Sequence, residues 1–547
     1  MTAGKLLKFP HDSVLVKLLV AARQTSDTKT IVHDALGFEK SYPELLGDVL
    51  KTRQLLWARL PPSAIDDRGL LRGDSQYVAI LAKSGYEFLV AFFSIRAMGG
   101  VCVPLGSGVL PEEAQYFLSK TNATCMLAGR DSMGRADAIR THVQDLALFP
   151  ISIEAAPSRR VEIDDTLRMD PDGPGLVMFS SGTTGLPKGA VLPRRCFSAA
   201  LPMEPGAVAL HYRPANWIGG AASLIQPMLS GNTLYSIRVE AGNARAEAVL
   251  EAFRTHRITH ARFTPDLLRR MKDLLMGDFS KGDKGNHFRG LSSIMCSAGM
   301  LESSTKDFWT DLTGLPFENI YAATELGGPA TRGVSGIQGS IGTPMPGIKA
   351  KISEGNQGEL YIKSPNMFTR YIGDEETTQA AFDDEGYFKT GDLAVLRDGE
   401  YIFAGRVNVD YVQFGLYRIS TLTVESSLMN LPRISEACVV AVPDNDVSQL
   451  CGAVVRLSTG QTTLAQIRSD LRYSLAPYKL PTLLRILKDG EDLPRTVSGK
   501  PIKRQILNLY FGSTDGAQPK TDPPGVERCG WEAAIKPWDF CGLQSAD

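Results

Sequence analysis

Apolar and polar positions alternate along the first part of the chain in blocks that predict strands joined by helices. Residues 77–82 form a short apolar run, residues 86–98 carry apolar side chains at helical spacing, and residues 99–104 return to a β-rich run. The same order recurs over residues 111–128, which predict a helix and then a buried strand. Such alternation is typical of α/β layers around a mainly parallel sheet.

The pattern changes after about residue 347. Before this point, two more units of strand and helix are predicted over residues 244–263 and 291–320. Beyond it, short apolar runs separated by Gly and Asp turns predict a mostly antiparallel β segment that ends near Gly405-Arg406. Further apolar runs and a helix over residues 463–475 then predict a small α+β unit.

The domain organisation follows from the length and from these changes of pattern. A chain of 547 residues is too long for one compact core. We expect an α/β fold with a large domain of layered subdomains and a β-rich segment over residues 1–405, followed by a small mobile α+β domain over residues 406–511. Small polar residues and proline dominate residues 512–547, which predicts a flexible tail.

Composition and charge exclude several classes of protein. The formal net charge is -1 and no long basic run occurs, so nucleic acid is not an expected partner. The eight cysteines are scattered without a CxxC pair, which argues against a zinc site and against a disulfide scaffold. No apolar run approaches the ~20 residues of a membrane span, and the first residues lack a secretory pattern. A cytoplasmic protein is therefore expected.

The most informative local pattern is Phe179-Ser-Ser-Gly-Thr-Thr-Gly-Leu-Pro-Lys-Gly189. An apolar strand leads into a turn of glycines and hydroxyl residues, where backbone N–H groups and hydroxyls converge on an anion. Lys188 adds a positive charge. A Walker A loop requires glycine directly before its lysine and Ser or Thr after it, but Pro187 and Gly189 occupy these places. The segment therefore predicts a triphosphate site outside the nucleotide-switch NTPases.

This segment resembles the phosphate loop of the adenylate-forming superfamily, which includes acyl-CoA synthetases, peptide-synthetase adenylation domains and beetle luciferase. Companion segments follow in the family's order, and the resemblance extends from about Ser13 to Leu509. Tyr321-Ala-Ala-Thr-Glu325 resembles the family's Tyr-Gly-x-Thr-Glu, and Gly386-Tyr-Phe-Lys-Thr-Gly-Asp392 stands at its family position. The resemblance implies an enzyme that activates a carboxylic acid with ATP.

The resemblance also implies a role for each matching residue. Tyr321 is expected to stack on adenine, Thr324 to bond the α-phosphate, and Glu325 to hold Mg²⁺, since a carboxylate beside a polyphosphate needs a divalent cation between them. Asp392 is expected to accept hydrogen bonds from the ribose hydroxyls, and Arg406 to contact the ribose or a phosphate. The other implied nucleotide-binding residues are Ser180, Ser181, Gly182, Thr183, Thr184, Gly185, Lys188, Ala298, Gly299 and Ala322, of which Thr184 also contacts the metal.

A lysine near the C-terminus completes the implied catalytic set. Leu493-Pro-Arg-Thr-Val-Ser-Gly-Lys500 resembles the family's Gly-Lys terminus, whose lysine bridges the carboxylate and the α-phosphate. Attack by the carboxylate builds negative charge on five-coordinate phosphorus, and a lysine at this position stabilises that charge. Lys500, Thr324 and Glu325 are therefore the expected catalytic residues.

The resemblance implies a hinge around Asn408 and Asp410, about which the small domain rotates after adenylation. This sequence departs from the family nearby, since Gln413 replaces a basic residue and Leu416 replaces a glycine. Glycine lets a backbone approach a ligand closely. The Leu416 side chain is therefore expected to narrow the channel through which a thiol acceptor reaches the acyl group. CoA is the expected acceptor, while an amine or a carrier protein in trans stays open.

The acid pocket is expected to involve Asn216 and Trp217, which replace the aromatic and His pair of relatives. Arg270 roughly matches the arginine that holds the distal carboxylate in malonate-activating relatives. Malonate is one candidate acid, and an aromatic or polyketide-type acid suits Trp217 equally. The expected reaction forms acyl-AMP and then acyl-CoA from ATP, Mg²⁺ and CoA. A freestanding ligase with another acceptor and a non-catalytic nucleotide-binding protein are the alternatives.

Overall fold

The computed structural model describes residues 7–72, 76–158, 161–180, 187–198, 203–238, 242–280, 288–299, 301, 303–334, 337–406, 411–414, 417–444, 448–475, 479–496, 499–512 and 522–529. Its strands are β1 (Lys8–His11), β2 (Val32–Asp34), β3 (Phe38–Lys40), β4 (Tyr77–Leu81), β5 (Val101–Pro104), β6 (Cys125–Ala128), β7 (Ala147–Pro150), β8 (Glu162–Arg168), β9 (Pro174–Ser180), β10 (Lys188–Pro193), β11 (Val208–His211), β12 (Thr233–Ser236), β13 (Arg262–Phe263), β14 (Ile294–Ser297), β15 (Phe317–Ala323), β16 (Gly328–Gly333), β17 (Ser340–Pro344), β18 (Lys349–Ile352), β19 (Gln357–Lys363), β20 (Arg370–Tyr371), β21 (Phe388–Arg397), β22 (Glu400–Arg406), β23 (Tyr411–Phe414), β24 (Tyr417–Ser420), β25 (Ile434–Asp444), β26 (Ser448–Leu457), β27 (Leu483–Ile486) and β28 (Val526–Arg528).

The α-helices are α1 (Ser13–Gln24), α2 (Tyr42–Arg59), α3 (Tyr86–Ala97), α4 (Pro111–Thr121), α5 (Met133–Val143), α6 (Ile218–Leu229), α7 (Gly242–Thr255), α8 (Pro265–Ser280), α9 (Ser303–Thr313), α10 (Glu375–Ala380), α11 (Thr421–Met429), α12 (Leu464–Leu471) and α13 (Lys503–Phe511). Local chemistry explains their ends. Helix α4 has Pro111 in its first turn with Glu112 and Glu113, and Asn122 closes it in the left-handed conformation.

The first large sheet has the order β20-β10-β9-β5-β4-β6-β7 within the described residues. Strands β9, β5, β4, β6 and β7 are parallel, which confirms the α/β layering predicted for this part of the chain. Helix α3 is buried along its whole length against this sheet, as its apolar sequence requires. Strands β10 and β20 add an antiparallel edge that carries the phosphate-loop segment.

The second large sheet has the order β13-β14-β15-β16-β17-β22-β21-β19-β18 within the described residues. Its first three strands are parallel and the others antiparallel, so it spans the predicted change of pattern near residue 347. A smaller sheet of order β11-β12-β2-β3 meets it through the parallel bridge between Ala209 and His260. The ends of these strands surround the candidate site.

The C-terminal part of the chain has its own sheet, with the order β24-β23-β26-β27-β28 and β25 on β26. Its buried residues form one hydrophobic cluster from Val412 to Phe511. The helix predicted over residues 463–475 is shorter, because Thr463 caps α12 through the backbone N–H of Gln466 and the helix ends at Leu471.

Residues 522–529, which composition assigned to a flexible tail, instead add an edge strand to this sheet. Strand β28 pairs antiparallel with β27, and Glu527 accepts a hydrogen bond of 2.7 Å from the backbone N–H of Leu464. Arg528 donates two hydrogen bonds to Asp522. These long-range partners hold a segment whose own composition favours disorder. Among the described helices, none is both long and apolar enough to cross a membrane.

Candidate active site

The phosphate-loop segment connects two antiparallel strands. Ser180 at the end of β9 lies opposite Lys188 at the start of β10. Phe179 packs against Phe117 with ring centroids 4.4 Å apart, and the hydroxyl of Tyr116 donates a 2.9 Å hydrogen bond to the carbonyl of Pro187. These contacts anchor both ends of the connection. The predicted residues Ser181, Gly182, Thr183, Thr184 and Gly185 lie outside the described residues, as does the side chain of Ser180.

A tyrosine that sequence reasoning missed joins this segment to the predicted metal-binding carboxylate. Strand β20 pairs with β10, which sets Tyr371 opposite Ala190. The Tyr371 hydroxyl donates a 3.0 Å hydrogen bond to Oε1 of Glu325, and Nζ of Lys188 lies 5.4 Å from the centre of its ring. Burial and the neighbouring Glu325 carboxylate raise the pKa of Tyr371, so its hydroxyl stays protonated and keeps donating.

Two predicted nucleotide-binding residues are in direct contact. The hydroxyl of Tyr321 in β15 donates a 2.6 Å hydrogen bond to Oδ2 of Asp392 in β21, and Asp392 is buried. Asp392 lies opposite Arg406 in the ladder between β21 and β22, although the side chain of Arg406 is not among those described. Thr324 and Glu325 follow β15 directly, in a turn closed by a 3.0 Å hydrogen bond from Gly327 N to Thr324 O. Ala322 lies in β15 beside Tyr321.

The predicted nucleotide-binding residues Ala298 and Gly299 directly follow β14 and are exposed. Ser297, just before them, pairs with Ile320 of β15, so the segment lies next to Tyr321. Ala298 has a φ of 71°, in the left-handed region. This conformation costs a residue with a side chain about 1–2 kcal/mol, and such strain is concentrated at functional sites.

Lys500 lies on the C-terminal domain and is exposed. Its turn is closed by a 2.8 Å hydrogen bond from Thr496 N to Lys500 O and a 3.2 Å hydrogen bond from Lys500 N to Thr496 Oγ1. Arg495 braces the turn through Glu436, which also pairs with Arg456 at 3.1 Å. The predicted hinge residues Asn408 and Asp410 lie outside the described residues.

The predicted acid-pocket residues are at the start of α6 and on α8. Asn216 lies near Gly106, where an added Cβ would be 3.5 Å from its Nδ2. Trp217 caps α6, and both side chains are half-buried. Arg270 is half-buried on α8. Sequence reasoning missed Arg213 and Arg262, which stand shortly before these two helices and contact each other through the carbonyl of Arg262.

The sequence contained a local indication for each of these two arginines. Arg213 stands just after an apolar strand in the segment that holds Asn216 and Trp217, and Arg262 interrupts the short run before Phe263. A charged side chain in a strand that must be buried is a candidate for function.

The residues around Glu325 are suited to a single hard cation that is coordinated mainly by the phosphates of a bound nucleotide. Mg²⁺ is commonly bound by one or two carboxylates together with the phosphates of a nucleotide. Glu325 is half-buried and positioned by Tyr371, which leaves its second oxygen for a cation. No group of three or more His, Cys, Asp or Glu residues in the described part of the chain is arranged to hold a metal ion by itself. The single carboxylate of Glu325 fits a metal that is held jointly with the phosphates of a nucleotide.

Comparison with known proteins agrees with this geometry. The family model of the AMP-binding enzymes matches residues 63–372, and that of the AMP-binding enzyme C-terminal domain matches residues 423–500. The acyl-CoA ligase oryP of Aspergillus oryzae is 31% identical over 526 residues, which cover 92% of this chain and 93% of that protein. The mitochondrial malonate–CoA ligase ACSF3 of Mus musculus is 27% identical, with 83% of this chain and 85% of the relative covered.

The fold is shared with a solved structure. ATP-bound MatB from Rhodopseudomonas palustris superposes with a TM-score of 0.74 at 22% identity, covering 91% of this chain and 99% of MatB. The match spans a large N-terminal domain and a small C-terminal domain, as the sequence predicts. The extent of the family match and the similarity to oryP lead to one conclusion: this chain belongs to the AMP-binding enzyme family.

Proposed function

We propose that the protein is an acyl-CoA synthetase that forms AMP. In the first half-reaction a carboxylate oxygen of the acid attacks the α-phosphorus of ATP, pyrophosphate leaves, and acyl-AMP forms. In the second, the CoA thiol attacks the acyl carbonyl, AMP leaves, and the thiol proton is released. The observation that carries the proposal is that Tyr321 contacts Asp392, while Glu325, in the turn after the strand of Tyr321, is joined through Tyr371 to Lys188.

Each of these residues has a proposed task. Tyr321 stacks on adenine while its hydroxyl keeps Asp392 oriented toward the ribose hydroxyls. Thr324 donates to the α-phosphate, and Lys188 with the backbone of the phosphate loop holds the β- and γ-phosphates. Glu325 holds Mg²⁺, which when bound neutralises phosphate charge. Lys500 stabilises the negative charge that develops on the α-phosphorus.

The division of labour between domains is part of the proposal. The buried clusters of the large domain end at Tyr401, and that of the small domain begins at Val412, which supports domains of residues 1–405 and 406–511. Lys500 is on the small domain and Tyr321 on the large one, so a rotation about Asn408 and Asp410 would bring Lys500 in for adenylation and withdraw it for thiolation.

Pyrophosphate release across a library of carboxylic acids, with and without CoA, tests the reaction. We expect acid-dependent release, acyl-AMP detectable by mass spectrometry, and a thioester once CoA is added. Acyl-AMP without a thioester for every productive acid would refute the CoA step. An added amine or carrier protein that captures the acyl group faster than CoA would then assign the second half-reaction to that acceptor.

We also propose that the protein works in the cytoplasm. The described cysteines are free, which fits a reducing compartment. Imaging of a C-terminal fluorescent fusion tests this, and import into an organelle would contradict it.

A further inference from the structure

Lys500 is carried by a short loop whose two arms are bonded to each other. The backbone N–H of Ile502 donates a 2.8 Å hydrogen bond to the carbonyl of Pro494, and Arg495 pairs antiparallel with Pro501. We call the described residues 494–496 and 499–502 the lysine loop. These backbone bonds set the shape of the lysine loop, whereas its place on the small domain depends on its contacts with the neighbouring elements.

The first such contact joins both arms of the lysine loop to β25. The guanidinium of Arg495 pairs with the carboxylate of Glu436 in β25 and also donates a hydrogen bond to the carbonyl of Gly499. Gly499 directly precedes Lys500. The other oxygen of Glu436 lies 3.1 Å from Nε of Arg456, and these two residues face each other in the ladder between β25 and β26. Glu436 therefore has a fixed orientation from which it holds Arg495.

The second contact holds the chain where it leaves the lysine loop. Lys503 is the first residue of α13, and its Nζ lies 3.3 Å from Oε1 of Glu425 and donates a 2.7 Å hydrogen bond to Oγ1 of Thr421. Both partners are in α11. The same Oε1 of Glu425 accepts a 2.7 Å hydrogen bond from the backbone N–H of Val439 in β25, so this carboxylate is fixed as well.

The two ion pairs lie close together around one buried residue of β25. Burial raises the pKa of the Cys438 thiol, and the charges of both ion pairs act on this thiol in addition. The side chains of Arg495 and Glu436 are 31% and 20% exposed, and ion pairs near the surface add little to stability. What the two pairs contribute is orientation, because they hold the lysine loop at both ends against the same strand.

We propose that Arg495 and Lys503 are positioning residues for Lys500. Their ion pairs with Glu436 and Glu425 hold the lysine loop in the one arrangement from which the Lys500 ammonium reaches the α-phosphate. The side chain of Lys500 is exposed, so its reach is set by where its backbone is held. The proposal rests on the role in acid activation proposed above for Lys500.

Replacing Arg495 by Met tests the proposal. We expect acyl-AMP formation to slow by about 10-fold to 100-fold, because a displacement of about 1 Å has an effect of this size. The KM for ATP and the rate of thioester formation from synthetic acyl-AMP should change by less than about twofold, since Lys500 acts in neither. Lys503→Met should act in the same direction. Arg495→Lys should recover part of the lost rate, because an ammonium can still pair with Glu436.

A matched control and a double variant separate positioning from a general loss of structure. Arg433→Met removes an ion pair of similar exposure, with Asp470, from the same domain and should leave both half-reactions unchanged. In a Lys500→Ala background, Arg495→Met should cause no further loss of acyl-AMP formation, because Arg495 acts through Lys500. Fully additive losses, an equal loss of thioester formation, or an equal loss for Arg433→Met would each overturn the proposal.

Hydrogen–deuterium exchange of the full-length protein tests the same contacts without the reaction. Arg495→Met should raise exchange at the backbone amides of the lysine loop several-fold over wild type, and Arg433→Met should not. Unchanged exchange in Arg495→Met refutes the proposal whatever reaction the enzyme performs. If Lys500→Ala forms acyl-AMP as fast as wild type, the role proposed for Lys500 fails, and the exchange result alone decides whether the ion pairs hold the lysine loop.

Discussion

Tyr321 donates a 2.6 Å hydrogen bond to Asp392 although their strands are not neighbours. Strands β16, β17 and β22 stand between β15 and β21 in the sheet order, a separation of four strand spacings, or about 19 Å in a flat sheet. The two side chains can meet only because this sheet is strongly curled. The curl brings together the residues proposed to hold adenine and ribose.

Replacing Tyr321 by Phe tests this hydrogen bond while keeping the ring. We expect the Kd for ATP to rise about fivefold, the effect of losing one hydrogen bond worth about 1 kcal/mol. Calorimetry of Y321F, D392N and the double variant gives the coupling between the two residues. Tyr361→Phe, on β19 of the same sheet, is the control. Fully additive effects of the two substitutions would contradict a functional link.

Lys500→Ala should reduce acyl-AMP formation by about 10²–10³-fold, the usual effect of removing one stabilising group from a developing charge. Binding of ATP should be nearly unchanged, and so should thioester formation from synthetic acyl-AMP, because Lys500 acts only on the α-phosphorus. Lys488→Ala, exposed on the same domain, is the matched control. Equal loss of both half-reactions would point to a folding defect.

Tyr371→Phe removes the donor to Glu325 but keeps the aromatic face near Lys188. We expect a several-fold higher Mg²⁺ requirement for pyrophosphate release, because the carboxylate loses its orientation, and a larger effect, at least 10-fold, for Glu325→Gln. Since the pKa of Tyr371 is raised, the difference between wild type and Y371F should persist unchanged up to pH 10. Magnesium titrations at several pH values check this, and a difference that vanishes below pH 10 would contradict it.

Asp12→Asn should destabilise the large domain by about 3–5 kcal/mol, since two buried arginines lose their shared counterion. Denaturant unfolding at pH 7 measures this. The control Asp131→Asn breaks an exposed pair with Lys83 and should cost less than about 1 kcal/mol.

Because Asp12 titrates, its contribution to the stability of the large domain should depend on pH. Burial alone raises the pKa of Asp12, but Arg96 and Arg194 outweigh burial, and the folded-state pKa lies below the ordinary 3.8. The contribution of the Asp12 carboxylate to the free energy of unfolding is therefore complete above its unfolded-state pKa. It is lost as the pH falls through its folded-state pKa. The gap in stability between wild type and D12N should narrow from pH 5 downward, and a constant gap would contradict this.

Deleting residues 522–547 removes β28 and uncovers the edge of β27. We expect the thermal transition of the C-terminal domain to fall by several degrees, because the ladder to β27 and the bond from Leu464 to Glu527 are lost. Deleting residues 530–547 keeps β28 and is the control. Equal thermal transition temperatures for the two truncated proteins, measured by calorimetry, would show that β28 adds no stability.

Local patterns in the sequence determined much of the fold. The helix predicted over residues 86–98 is α3, Tyr86–Ala97, and the helix predicted to begin at Pro111 is α4. Short segments such as Tyr321-Ala-Ala-Thr-Glu325 also identified the family, because neighbouring residues in one turn must act together on one nucleotide. Such features depend on contacts within a few residues, so a sequence window contains all the necessary information.

Tertiary structure alone decided which distant residues meet. The sheet curl joins Tyr321 to Asp392, the β10 and β20 edge delivers Tyr371 to Glu325, and parallel strands set Arg213 beside Arg262. The strand β28 likewise exists only because β27 offers it an unpaired edge. Strand order and register arise from burial summed over the whole domain, which no short segment specifies. The sequence by itself determined the family and the class of chemistry, and the packed structure decided how the site is assembled.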